Sequence, residues 1–231
     1  MRGVAAKENI MLPIICLGFL LGMRHATDVD HVFAVTTLVS RYRSAARAAI
    51  VGALWGVGHT VMVMIVGTGI ILFQWVIPVR AGLGMEFSVA LMLVVLGILN
   101  LTGVPGRQVE VYDHATDEFV PRPQPRLVAT IRPVVVGLVH GLAGSAAIAL
   151  MVLSTIHEPR LAVAYLALFG TGTLAGMMLI TAALAYSFTK MPAQLLRIGS
   201  GILSLGFGLF LIYQIGIVGG LFTSHPVWSP R

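Results

Sequence analysis

Two imidazoles and two carboxylates stand within seven residues, at His25, Asp28, Asp30 and His31 in the string RHATDVDHV. Nitrogen and oxygen donors of this kind suit a divalent first-row metal ion. The chain around them, residues 9–41, reads as one long apolar helix able to cross a bilayer. A charge at the centre of a bilayer costs about 2.5–3.5 kcal/mol on insertion scales. A membrane helix keeps such a cluster only where it faces a bundle interior or a water-filled cavity. The pattern predicts a metal-ion permease.

Two more histidines belong with this set. His59 lies inside the apolar string GALWGVGHT, and His140 inside GLVHGLAGSAA. A lone histidine in a soluble core is usually a packing residue, but in a membrane interior an ionisable side chain is a functional candidate. The candidate metal residues are therefore His25, Asp28, Asp30, His31, His59 and His140. At 100° per residue, His25, Asp28, His31 and Arg24 share one helical arc, while Asp30 falls roughly 100° away from His31. Either the helix unwinds here or Asp30 serves another partner. No proline occurs between Pro13 and Pro78, so no obvious kink is expected. Arg24 cannot bind a cation and is expected to pair with Asp28 or Asp30. Glu86, His157 and His225 read as interfacial, with a vestibule role open for Glu86. The 11 methionines are scattered and read as packing residues.

The elements that must hold these residues follow from composition. The chain is 57% hydrophobic and 10% charged, against about 25% charged in a soluble domain. Apolar stretches near the spanning length of about 20 residues occupy residues 10–39, 48–75, 83–104, 131–156, 161–188 and 193–222. In lipid these must be helices, because no water is there to pair free backbone groups. The expected class is all-α, integral membrane, with six transmembrane helices and the lipid bilayer as a partner. Alternating apolar and polar segments of a membrane barrel are missing from the sequence. The net charge of +6 comes from basic residues placed singly in short loops, which argues against a nucleic-acid partner. The one cysteine, Cys16, lies within the first span, so no intrachain disulfide is expected. Arg2 and Lys7 precede an apolar run too long and too polar at its centre for a cleaved signal. Arginine and lysine number nine on the side of the loops near residues 41–47, 107–132 and 190–197, and five on the other. The richer side is expected to be cytoplasmic, with both termini outside.

The two halves echo each other about 114 residues apart. Gly22-Met23-Arg24-His25 matches Gly137-Leu138-Val139-His140, and Ala53–His59 (ALWGVGH) matches Ala167–Thr173 (ALFGTGT). Three spans per half is an odd number, so the halves must be oppositely oriented, a recurring plan of secondary transporters. The domain expectation is a three-helix half over residues 1–104, a proline-rich cytoplasmic linker over 105–131 that is solvated and partly disordered, and a second three-helix half over 132–231.

These residues carry a resemblance. His25, Asp30 and His31 match the H-x-x-x-x-D-H signature of the nickel/cobalt transporter family, and Gly58-His59-Thr60 resembles that family's second histidine motif. Residues 22–69 look most like its shorter branch, which includes urease-accessory nickel permeases. The resemblance implies a multi-pass permease of the inner membrane for Ni²⁺ or Co²⁺, with His25, Asp30 and His31 taking part in metal recognition. The chain departs from the larger, eight-span members in carrying the signature in its first span rather than its second. The transported ion is the substrate, and no cofactor is expected. Without a G-x-x-x-x-G-K-[ST] loop the chain cannot hydrolyse ATP by that route. Uptake is the first expectation, efflux by the same fold the alternative. A membrane metalloenzyme would need more clustered histidines. Oligomeric state cannot be read from the sequence.

Overall fold

The first span is two helices and not one. Helix α1 (residues 16–25) stops at a turn, and α2 (Val29–Val39) begins after it. Thr27 and Asp28 cause the break. Their amides bond Arg24 O and His25 O at 2.8 and 3.0 Å, three residues back, and Thr27 Oγ1 donates to Arg24 O at 2.6 Å. Asp28 takes an extended backbone (φ −61°, ψ 148°) as the N-cap of α2. Thr and Asp compete with helical hydrogen bonds through their own side chains and favour such boundaries. Of the alternatives that the sequence leaves open for this span, the helix unwinds, and it does so without a proline, through a threonine–aspartate turn.

This computed structural model describes residues 16–40, 42, 44–74, 77–103, 110–113, 118–121, 126–156 and 158–228. After α2 come α3 (Ala45–Phe73), α4 (Val79–Thr102), α5 (Arg126–Thr155), α6 (Pro159–Phe188) and α7 (Ala193–Tyr213), which runs into a π-helical turn at Gln214–Val218. Four helical segments, Ala45–Phe73, Val79–Thr102, Pro159–Phe188 and Ala193–Val218, are long and apolar enough to cross a membrane. Between α4 and α5, strands β1 (Glu110–Asp113) and β2 (Glu118–Pro121) form an antiparallel ribbon pairing Glu110 with Pro121. The linker thus carries some structure, a small exception to an all-α chain, and α5 starts five residues earlier than expected. His114 and the rest of the linker lie outside the described residues, as does the chain before Cys16.

The outer surface is apolar, and an apolar core encloses a set of polar side chains. Large apolar side chains such as Ile65, Leu72, Val95, Leu179 and Leu209 are exposed around the periphery, while His31, His59, Asn100, His140, Thr173 and Ser204 are buried. Water would reward the opposite arrangement, and lipid rewards this one. Helices α1 and α5 both seat closely on a partner. A side chain at Gly22 would collide with the backbone of Phe169 and Thr173 on α6, and one at Gly137 with the backbone of Trp55 and His59 on α3. Small residues at such crossings let backbones approach when lipid offers no hydrophobic drive between helices. Helices α3, α5, α6 and α1 form one tight group. Helices α4 and α7 form a second pair, in which Ser204 Oγ donates to Leu93 O at 2.9 Å. Between the groups runs α2. Asn100 Nδ2 on α4 donates to Ser40 Oγ just after α2 (3.3 Å) and to Ser200 Oγ on α7 (2.7 Å), all three buried.

Candidate metal centre

Every candidate named from the sequence comes to one place. The break at residues 26–28 has His25 at the end of α1, Asp28 as the N-cap of α2, and Asp30 and His31 in the first turn of α2. Helix α3 brings His59 from its middle, and α5 brings His140. His31, His59 and His140 are 2%, 0% and 2% exposed, so their nitrogens depend on one another and on nearby carboxylates. The ring centroids of His31 lie 4.6 Å from His25, 5.2 Å from His59 and 4.0 Å from His140.

Two carboxylates orient three of the rings. His25 Nδ1 pairs with Asp28 Oδ2 at 2.8 Å. Asp30 lies between two rings, with Oδ1 at 3.1 Å from His31 Nδ1 and Oδ2 at 2.9 Å from His140 Nε2. Its Oδ1 also accepts from the His31 amide at 3.0 Å. Both alternatives left open for Asp30 therefore hold: the helix is unwound, and Asp30 has its own partner, His140. Among the described residues neither carboxylate pairs with Arg24, which is exposed. The expected Arg24 pairing is corrected: the carboxylates are taken by imidazoles, and the guanidinium lies outside the cluster.

What the carboxylates leave free decides the chemistry. His25 Nε2, His31 Nε2, His140 Nδ1 and both nitrogens of His59 are buried without a hydrogen-bond partner among the described residues. A buried unpaired polar atom costs about 1–3 kcal/mol, and a shared cation could take one nitrogen from each of these four rings; the indole Nε1 of Trp55 beside them is likewise buried without a partner among the described residues. Donor atoms of His25, His31 and His59 lie within 4.8 Å of one another, and so do those of Asp30, His31 and His140. Nitrogens sharing an ion at about 2.1 Å lie at most about 4.2 Å apart, so small side-chain adjustments suffice to close either set on a cation. A carboxylate on the far nitrogen of an imidazole fixes its tautomer and raises its basicity toward a metal.

A cavity of about 410 Å³ opens beside the cluster. His25, Asp28, Asp30, His31 and His140 form one wall. Glu86 and Val89 of α4, with Phe207 and Leu211 of α7, form the opposite wall. Glu86, which the sequence places at the start of its span with a vestibule role open, lines this cavity. Two tryptophans escaped the sequence reading. Trp55 lies 5.5 Å from the His31 ring and 5.7 Å from that of His140. Its spacing of one helical turn from His59 was a legible signal. Trp228 bonds Glu86 across 142 residues, and no local pattern announces that.

Buried imidazoles backed by carboxylates, inside a bundle of lipid-length helices, describe a membrane carrier of metal ions. The profile of the high-affinity nickel-transport protein family (NicO) matches residues 11–118. The urease accessory protein UreH of Bacillus sp. (strain TB-90) is 33% identical over 223 residues, covering 92% of this chain and 96% of that protein. No solved structure matches the chain. The chain belongs to the high-affinity nickel-transport protein family, whose members are transporters and not enzymes, and with four long apolar helices it is a multi-pass membrane protein. His140 lies beyond the profile match, so its place in the cluster rests on the fold.

Proposed function

We propose that this chain is a secondary permease that takes Ni²⁺, or Co²⁺, inward across the inner membrane. The ion is held by His25, His31 and His59, with His140 as a further donor and Asp28 and Asp30 orienting the rings. The observation that carries this reading is the set of five unpartnered buried imidazole nitrogens gathered in one cluster. Charge supports it. With neutral imidazoles, Asp28 and Asp30 contribute two negative charges, which a divalent ion neutralises and a monovalent ion does not. Two carboxylates beside four imidazoles match the charge of a divalent ion, so the cluster favours a divalent cargo. Imidazole and carboxylate donors without thiolate suit nickel and cobalt better than Cu(I). Inward movement of a divalent ion gains about 4.6 kcal/mol per 100 mV, twice the single-charge value, so no ATP is required.

Six crossings in two inverted three-helix halves, flanking the linker at 105–131, complete the proposal. Supporting it, the matched glycines make matched contacts. Gly22 seats on Phe169 and Thr173, and its counterpart Gly137 seats on Trp55 and His59, the counterparts of those two residues. Gly172 likewise approaches Phe19, and its counterpart Gly58 approaches Val134. Under the arginine and lysine count, the cavity lies toward the outer ends of α4 and α7, which suits an ion arriving from outside. The test is the nickel content of cells lacking the chain and of cells overproducing it. Uptake predicts a fall in the first and a rise in the second. The reverse pattern means efflux, and no change in either rejects metal transport.

A further inference from the structure

The wall facing the histidines is apolar except at one point. Phe207, Leu211 and Ile215 line it from α7 and the π-turn, Val89 from α4, and among them stands the carboxylate of Glu86. It is held there by the far end of the chain. The indole Nε1–H of Trp228 donates to Glu86 Oε1 at 2.9 Å. Indole is a donor only, so this bond orients one carboxylate oxygen and leaves the other for a different ligand.

The segment carrying Trp228 is tied down along its length. The Val227 amide donates to Gly219 O at 2.9 Å, Arg80 Nη2 reaches Thr223 O at 3.5 Å, and the Phe222 ring meets that of Phe87 at 5.4 Å. Gly82, one turn before Glu86, lies directly under the indole, and a side chain there would collide with the ring. Residues 219–228 thus form a strap that places one hydrogen-bond donor on one carboxylate, at a cavity whose other wall carries the metal cluster.

The cavity has room for roughly a dozen waters at ~30 Å³ each, enough for a divalent ion with its hydration shell. Such ions shed water reluctantly, and a carboxylate reached through or beside that shell attracts the ion before any imidazole binds it.

We propose that Glu86, oriented by Trp228, is a further cation-binding residue of the transport path, receiving the hydrated divalent ion in the cavity before the histidines replace its water. This rests on the transport reading above. Glu86 attracts the ion through its hydration shell, and Trp228 is a positioning residue that acts through Glu86.

The experiment is the kinetics of nickel uptake by the full chain in proteoliposomes, comparing wild type with Glu86→Gln, Glu86→Asp, Trp228→Phe and the Glu86→Gln/Trp228→Phe double variant. Attraction of a carboxylate for a divalent ion across a few ångströms of water is worth about a factor of ten in affinity. Glu86→Gln should raise KM about tenfold with little change in maximal rate, and should flatten the rise of KM with ionic strength seen in wild type. Trp228→Phe keeps the ring over Gly82 and loses the N–H, so KM should rise about threefold. The double variant should match Glu86→Gln alone, because the indole acts only through the carboxylate. An unchanged KM in Glu86→Gln overturns the proposal, as does a lowered maximal rate or protein level at constant KM, the mark of a structural role. If Glu86→Gln does not transport at all, Glu86→Asp decides: uptake with a raised KM supports the proposal, and no uptake overturns it. Wild type that takes up no nickel rejects the transport reading itself, and this inference with it. Wild-type uptake matched by Glu86→Gln rejects only this inference.

Discussion

Asp30 is the residue on which the cluster turns. One carboxylate engages Nδ1 of His31 and Nε2 of His140, and so decides which nitrogen of each ring is left free. Loss of such an oriented carboxylate typically costs 10–100-fold in metal affinity or activity. Asp30→Ala should therefore lower nickel uptake by about that factor at an unchanged amount of protein in the membrane. Uptake close to wild type would show that the two rings hold their orientation without it. His59 differs, since among the described residues both of its nitrogens lack partners, and it is fully buried. His59→Ala should abolish uptake, with a stability loss confined to the cavity that the missing ring leaves. Were uptake to survive His59→Ala, the ion would have to be held by the Asp30, His31 and His140 set alone. Protons compete with the ion for these rings, because an imidazole must be neutral to ligate. Lowering pH from about 8 to about 5 at fixed voltage should weaken apparent nickel affinity progressively. A flat response across that window would show that no ligating ring takes up a proton between about pH 5 and 8.

At the scale of elements, the α1–α2 break and two helix crossings set the geometry. The break turns Asp30 off the arc it would share with the apolar face of a continuous helix and toward α5. The crossing of α5 on α3 depends on Gly137, whose missing side chain lets the backbone reach Trp55 and His59. Gly137→Leu should push α5 off α3, separate His140 from His59, and lower both uptake and thermal stability in detergent. Gly199, where an added Cβ meets nothing within 4 Å, is the control: Gly199→Leu should leave uptake unchanged and stability no lower. If Gly137→Leu behaves like the control, the crossing is not what positions His140. The Asn100, Ser40 and Ser200 network ties α2 to the α4–α7 pair at the end remote from the cavity. Bonds of this kind are worth about 1 kcal/mol in membrane proteins.

For the whole molecule, the arrangement of charge sets orientation, and orientation sets which way the cavity faces. The loops rich in arginine and lysine should be cytoplasmic. Residues 77–78 and 219–228, on the cavity side, should then face outward. Cys16 is the one cysteine of the chain, so a Cys16→Ser background makes the test direct. Cysteines introduced at Val79 and Thr223 should react with a membrane-impermeant maleimide in intact cells, and one introduced at Thr189 should react only after lysis. The opposite labelling would turn the cavity toward the cytoplasm and favour efflux.

The sequence by itself determined that the chain is built of long apolar helices, four of them long enough to cross a membrane among the described residues, and it named six histidines and aspartates that the fold gathers in one place. Apolar runs and the positions of ionisable residues within them are local properties, and lipid leaves the backbone few alternatives. It showed that one helix could not aim Asp30 and His31 at the same point, but not how the chain resolves that. The resolution lay in a Thr27–Asp28 turn and in a histidine 110 residues away, and the pairing of Arg24 was misjudged because nearby imidazoles took both carboxylates. Likewise Glu86 and Trp228, 142 residues apart, meet only because α4 and α7 pack antiparallel and the strap folds back over Gly82. Tertiary structure alone decided these pairings, since helical period fixes which side of its own helix a residue occupies and says nothing of which distant side chain stands opposite.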